Sequence, residues 1–164
     1  MAASDRRSPA PARLPVHLPV PWVYVLVYLA GVPLEWKWPV RLPFQVSPAV
    51  TLPAGMATFA IGAAIAGWGW ITFRRAGTTR VPGEMSTEFV TWGPYRFTRN
   101  PMYLGMAIAY VGEALIQRHV WPLLLLPLVL AFVNWAVIPV EQANLTRAFG
   151  DRYLEYCRRV RRWI

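Results

Sequence analysis

The feature that most constrains this chain is the stretch of residues 42–73, which carries no charged side chain. A helix crosses a bilayer with about 20 predominantly apolar residues, so residues 50–73 are predicted to span a membrane. Small side chains recur four residues apart along this span, where they would let a second helix approach closely. They are Gly62 and Ala66, and Ala63 and Gly67.

Three further apolar stretches, residues 20–36, 101–117 and 120–140, resemble the first. Tryptophan and tyrosine lie at the ends of residues 20–36, as in the aromatic belts of membrane helices, and Pro33 predicts an irregular end there. A narrow stripe of small residues follows residues 101–117: Gly105, Ala109 and Gly112. Only a short turn separates the last two stretches, which predicts an antiparallel hairpin. The fold class is therefore all-α integral membrane, with about four transmembrane helices.

After Val140 the pattern becomes that of an amphipathic helix, and Gly150 predicts a break within it. The apolar stripe of this C-terminal amphipathic helix consists of Leu145, Phe149, Tyr153 and Tyr156. The chain ends in a basic and aromatic segment that we expect on a membrane surface. Its residues are Arg158, Arg159, Arg161, Arg162 and Trp163.

The distribution of charge predicts the topology. Four spans would place 14 Lys and Arg residues on the side that carries both termini and residues 74–100, and 3 on the other side. Positive residues favour the cytoplasm, so both termini are predicted to be cytoplasmic in a bacterial inner membrane. Residues 1–19 are expected to form a flexible cytoplasmic lead-in, and residues 20–164 the membrane domain. The net charge of +9 flanks apolar segments, which favours anionic lipid headgroups over nucleic acid.

Common catalytic and metal-binding patterns are missing from the sequence. The single Cys157 excludes an internal disulfide and a multi-cysteine metal site. Neither His17 nor His119 has a partner at metal-ligand spacing, so no metal is expected. No glycine-rich phosphate loop occurs either, which argues against a Rossmann-type nucleotide site.

The segment 92–105 is a polar, basic turn that leads directly into an apolar helix. Pro101 suits the first turn of that helix, and Asn100 is a natural N-cap. Cations and tyrosines surround this helix start: Tyr95, Arg96, Arg99 and Tyr103. Such a site suits a small anionic or zwitterionic ligand. The alternative is a basic loop that only anchors the protein to a membrane.

Glu141 lies at the end of the fourth span, on the same predicted side as Asn100. Because the third and fourth spans form a hairpin, we expect these two residues to be close in space. A carboxylate beside guanidinium, amide and phenol groups could bind an amino-acid-like zwitterion. The alternative is that Glu141 forms a salt bridge with Arg96 or Arg99 and binds no ligand.

Two motifs resemble one family of membrane enzymes. They are Gly93-Pro-Tyr95-Arg-Phe-Thr-Arg99-Asn-Pro101-Met-Tyr103-Leu-Gly105 and Glu141-Gln-x-x-Leu145-x-x-x-Phe149-Gly150-x-x-Tyr153-x-x-Tyr156. Together they are similar to the isoprenylcysteine carboxyl methyltransferase and phospholipid methyltransferase superfamily, over roughly residues 50–164. The resemblance implies an integral membrane enzyme that binds S-adenosylmethionine outside any Rossmann fold.

The resemblance also implies a cofactor-binding set: Thr87, Glu88, Phe89, Val90, Tyr95, Arg99, Asn100, Pro101, Met102, Tyr103 and Glu141. Three positions depart from the pattern of the superfamily. Asn100 stands where eukaryotic members usually have His, and Gln142 replaces the second Glu of a common pair. Val137 replaces the Arg that holds the substrate carboxyl group in prenylcysteine enzymes. This last departure argues against carboxyl methylation of a prenylated protein.

The function expected from these observations is S-adenosylmethionine-dependent methylation of a lipid-like or apolar acceptor at oxygen, nitrogen or sulfur. Two alternatives stay open: a non-catalytic membrane scaffold, and a methyltransferase for small thiols or small amines. The bilayer and the apolar acceptor are the expected partners. No catalytic residue is assigned, and the oligomeric state is left open.

Overall fold

The computed structural model of the chain describes residues 19–40, 46–77 and 89–164. Its regular secondary structure within these ranges is helical. The helices are α1 (Val20–Lys37), α2 (Pro48–Arg75), a short 3₁₀ helix (Gly93–Arg96), α3 (Pro101–Gln117), α4 (Val120–Phe132), a π-helical turn (Val133–Val137), α5 (Ile138–Phe149) and α6 (Asp151–Arg159). The predicted all-α fold is confirmed. The predicted lead-in lies outside the described residues except for Pro19.

The helix that contains the last predicted span, residues 120–140, extends beyond residue 140. Helix α4, the π-helical turn and α5 form one continuous helix, Val120–Phe149. The change to polar residues after Val140 alters the side chains on the helix surface but introduces no residue that breaks the backbone. The break comes at Gly150, as predicted, where φ is 52° and ψ is −129°. Helix α1 continues through Pro33 to Lys37, because one missing hydrogen bond is tolerated in such a helix, and the irregularity expected at Pro33 stays a prediction.

Helices α2 and α3 pack antiparallel through small residues. A Cβ atom added to Gly62 would collide with the backbone of Ala109, and one added to Gly105 would lie 2.5 Å from the amide nitrogen of Ala66. The predicted pairing of small residues is therefore found in this interface. Gly67 is different, because no atom lies within 4 Å of a Cβ added there. The second small pair of α2 thus takes no part in this close approach.

Helix α1 packs against α4, where a Cβ on Gly31 would lie 2.9 Å from the nitrogen of Pro122. The carboxylate of Glu35 caps the start of α4, accepting hydrogen bonds from the amides of Val120 at 2.7 Å and Trp121 at 2.9 Å. The turn between α3 and α4 is closed by Arg118 in a left-handed conformation, with φ of 59°. The predicted hairpin of α3 and α4 is therefore present.

Within the described residues, two helices are long and apolar enough to cross a membrane, Pro48–Arg75 and Val120–Phe149. Helix α1 has 18 residues and α3 has 17, near the lower limit for a span. Four spans and the orientation of the termini therefore stay predictions.

Candidate active site

At the start of α3, the predicted position of Pro101 is found, but the predicted role of the Asn100 side chain is not. Pro101 takes the first helical position, and Asn100 is the N-cap residue by its place in the chain. The side chain of Asn100 makes no capping hydrogen bond, however. Its Nδ2 instead donates to the backbone carbonyl of Arg162 at 2.8 Å. The predicted side-chain cap is wrong, and the side-chain hydrogen bond of Asn100 is made to the C-terminal segment instead.

Glu141 lies beside the first turn of α3. The hydroxyl of Tyr103 donates to Glu141 Oε1 at 2.5 Å, and Tyr103 itself is only 3% exposed. Among the residues that the structure describes, no cation lies within ion-pair distance of Glu141. The alternative in which Glu141 forms a salt bridge with Arg96 or Arg99 is therefore not the arrangement found. Arg99 instead donates from Nη1 to the sulfur of Cys157 at 2.6 Å.

Residues 160–163, the C-terminal tail, pack against the turn that precedes α3. The amide of Arg99 donates to the carbonyl of Arg161 at 2.9 Å, and the hydroxyl of Thr98 donates to the carbonyl of Arg162 at 3.1 Å. Trp163 is half-buried against the apolar core. Arg162 and Trp163 thus contact the protein itself, and the position of the tail on a membrane surface stays a prediction. These hydrogen bonds hold the tail against the protein.

The π-helical turn supplies the other anchor of the tail. Asn134 lies in this turn, and its Oδ1 accepts from Arg162 Nη1 at 3.2 Å and from Trp163 Nε1 at 3.1 Å. Such π-helical turns occur frequently at functional sites. Sequence reasoning missed Asn134 and Arg162. A polar side chain within an apolar span could have identified Asn134, since such a residue needs a partner.

An aromatic cluster connects the segment before the 3₁₀ helix to α5 and α6. The ring of Phe89 stacks on Phe149 with centroids 5.2 Å apart and meets Tyr153 and Tyr156 edge-on. The hydroxyl of Tyr156 donates to the carbonyl of Tyr95 at 2.7 Å. Burial raises the pKa values of Tyr153 and Tyr156 above the usual range for tyrosine. Three residues of the predicted apolar stripe, Phe149, Tyr153 and Tyr156, thus pack around Phe89.

A cleft of about 590 Å³ adjoins this cluster. Three guanidinium groups and one carboxylate give its lining a net positive charge. The lining residues are Phe89, Thr91, Arg96, Arg152, Glu155, Tyr156, Arg159 and Val160. Glu155 pairs with Arg159 within the cleft lining.

The structure places the predicted cofactor-binding residues in several environments. Phe89 reaches the cleft, whereas Val90 and Tyr95 are buried. Met102 packs against Gly69 of α2. Arg99 and Asn100 meet the tail and Tyr103 meets Glu141, as described above, while Thr87 and Glu88 lie outside the described residues. Val137, at the position of the superfamily arginine, is buried in the apolar core.

Comparison with known proteins supplies a family. The sequence profile of the family described as phospholipid methyltransferase matches residues 50–152. A curated protein of Alcaligenes xylosoxydans xylosoxydans, the nickel-cobalt-cadmium resistance protein NccN, is 34% identical over 80 residues. That match covers 49% of this chain and 37% of the length of the curated protein. No solved structure matches the chain.

Proposed function

Because the chain belongs to the phospholipid methyltransferase family, within the isoprenylcysteine carboxyl methyltransferase superfamily, we propose that it is an S-adenosylmethionine-dependent enzyme that methylates a lipid-like or apolar acceptor. The family makes it a membrane methyltransferase. The identity of the methyl donor and the class of acceptor are proposed here from the residues around Glu141 and the apolar surface of the helices.

The observation that carries the proposal is the environment of Glu141. Its carboxylate is oriented by the hydroxyl of Tyr103 and has no cationic partner among the described residues. A partly buried carboxylate without a counter-ion favours a cationic ligand group. The aminoacyl end of S-adenosylmethionine carries an ammonium group, which can occupy that role. The Glu141 carboxylate beside the start of α3 therefore fits this cofactor.

Glu141 and Tyr103 would bind and orient the cofactor. Glu141 would accept hydrogen bonds from the ammonium group, and Tyr103 would keep the carboxylate in place. When bound, the cofactor supplies a methyl group already made electrophilic by the sulfonium. The protein therefore has to align the two reactants and exclude water, effects that contribute about 7–11 kcal/mol in well-oriented reactions. The burial of Thr98, Asn100 and Tyr103 provides such a water-poor environment.

The proposed acceptor follows from the surroundings of the site. Apolar side chains face outward along α1 and α2, where lipid would contact them. Val137 offers no charge to hold a prenylcysteine carboxyl group. These features favour a lipid-like acceptor over a prenylated protein. The metal resistance in the name of the curated relative is not carried over, since only 37% of that protein is matched.

We further place the enzyme in a bacterial inner membrane with four spans and both termini in the cytoplasm. The uneven distribution of Lys and Arg supports this orientation. Reporter fusions after residue 164 and before residue 1 should both report cytoplasmic locations. A periplasmic signal from either fusion would contradict the four-span topology.

The cofactor proposal is tested by the affinity of purified, detergent-solubilised protein for S-adenosylmethionine. The substitution Glu141→Gln keeps the shape of the side chain and removes its charge. A hydrogen bond to a charged group contributes about 1.5–3 kcal/mol, so affinity should fall about ten- to a hundredfold in calorimetry. The exposed Arg158 provides a control, and Arg158→Gln should bind as the wild type does. Equal affinity of Glu141→Gln and wild type would refute the assignment of Glu141.

A further inference from the structure

The side chain of Gln142 is held in one orientation by the C-terminal tail. Its Oε1 accepts a hydrogen bond from Arg162 Nη2 at 3.0 Å. A guanidinium group can only donate, so the amide of Gln142 must present its oxygen to Arg162. Its Nε2 therefore points elsewhere as a donor. That nitrogen is buried and has no hydrogen-bond partner within the described part of the chain.

The same tail residue orients a second amide in the opposite sense. The backbone carbonyl of Arg162 can only accept, and Asn100 meets it with Nδ2 at 2.8 Å. Asn100 thereby keeps its oxygen as an acceptor on the other side of the amide. Because Arg162 uses the oxygen of Gln142 and the nitrogen of Asn100, the donor of Gln142 and the acceptor of Asn100 point away from Arg162.

A buried donor without a partner is rare and unfavourable, and it calls for a specific explanation. Arg99 Nε is a second such donor, in the turn that the tail contacts at Arg161. Both groups are N–H donors, so the partner that would satisfy them is an acceptor. Because the neighbouring Arg162 guanidinium is also cationic, an anionic oxygen is favoured over a neutral one.

We propose that Gln142 is a further binding residue, whose Nε2 donates to the carboxylate of the cofactor's aminoacyl group, and that Arg162 is the positioning residue that fixes this orientation. The inference rests on the proposed function. Glu141 and Gln142 are consecutive residues of α5. They divide the zwitterion between them, with Glu141 binding the ammonium group and Gln142 the carboxylate.

The test compares two ligands that differ only in that carboxylate: S-adenosylhomocysteine and its decarboxylated analogue. The variant Gln142→Met keeps the length of the side chain and removes both the oxygen and the nitrogen of its amide. Its affinity for S-adenosylhomocysteine should fall about ten- to a hundredfold in calorimetry, while its affinity for the analogue should stay within about twofold of wild type. Gln117, exposed at the far end of α3, provides the matched control Gln117→Met, which should bind both ligands normally.

Variants of Arg162 test the orientation while the amide of Gln142 stays intact. Lysine is also only a donor, so Arg162→Lys should retain more of the preference for the carboxylated ligand than Arg162→Met. A purely structural role would instead weaken both ligands equally in every variant, and this result would overturn the inference. Normal binding of S-adenosylhomocysteine by Gln142→Met would also overturn it and leave the proposed function standing. Failure of the wild type to bind either ligand would refute both.

Discussion

The first turns of α3 are held by two contrasting contacts, the interface with α2 and the contact with the C-terminal tail. The α2 interface is dry and made of small side chains, with Gly62 and Gly105 bringing the two backbones together. The tail contact is polar and specific, with backbone carbonyls of Arg161 and Arg162 accepting from residues 98–100. The first contact depends on the absence of side chains, and the second on the placement of individual donors and acceptors. The candidate site lies beside the second contact, where individual polar groups can be used for binding.

The largest effect should follow from adding one carbon to the α2 interface. Gly62→Ala places a methyl group against the backbone of Ala109, which cannot move independently, so the free energy of unfolding should fall by about 1–3 kcal/mol. Gly67→Ala is the matched control in the same helix, since its methyl group would meet no atom within 4 Å. The control should be neutral or slightly stabilising, because alanine favours helix more than glycine does. Thermal unfolding in detergent measures both, and equal changes would show that close packing at Gly62 is unimportant.

A substitution in the polar tail contact should lower the free energy of unfolding less than Gly62→Ala does, but it should increase local motion of the tail. Asn134→Leu removes the acceptor shared by Arg162 and Trp163, which should cost about 1–2 kcal/mol of unfolding free energy. Hydrogen exchange should show faster exchange at the amides of Val160 and Arg99, while the amides of α2 stay protected. If the tail remained equally protected, Asn134 would not be its anchor.

The sequence predicted the first of these contacts much better than the second. Small residues repeat along a helix at a spacing that indicates a packing face, so the close packing at Gly62 and Ala66 could be predicted from the sequence. A hydrogen bond from Asn100 to a backbone carbonyl 62 residues later leaves no periodic signal. The proximity of Glu141 to the start of α3 followed from the hairpin. The partner of Glu141 could not be predicted, because Tyr103, Arg96 and Arg99 are all compatible with that topology.

The smallest effect at neutral pH is expected where α6 meets the 3₁₀ helix. Tyr156→Phe removes the hydrogen bond to the carbonyl of Tyr95 and should cost about 1 kcal/mol. Burial raises the pKa of Tyr156, so the neutral phenol stabilises the folded state below pH about 10, the ordinary value. Above that pH Tyr156 ionises in the unfolded state before it ionises in the folded state, so the wild type loses stability. Phenylalanine does not ionise, so the variant has no such loss at residue 156. Unfolding measured between pH 8 and 11 should show the two proteins converging, and a constant difference would contradict the burial of this hydroxyl.

The central claim, methylation of a lipid-like acceptor with the help of Glu141, is tested most directly by transfer of labelled methyl groups in membranes. Membranes containing the wild-type protein, the Glu141→Gln variant or no added protein would be incubated with methyl-labelled S-adenosylmethionine. The organic extract would then be compared with the aqueous metabolites. We expect label in the organic extract that depends on the wild-type protein and is strongly reduced in Glu141→Gln. Label found only in small aqueous thiols or amines, or equal label without the protein, would contradict the claim.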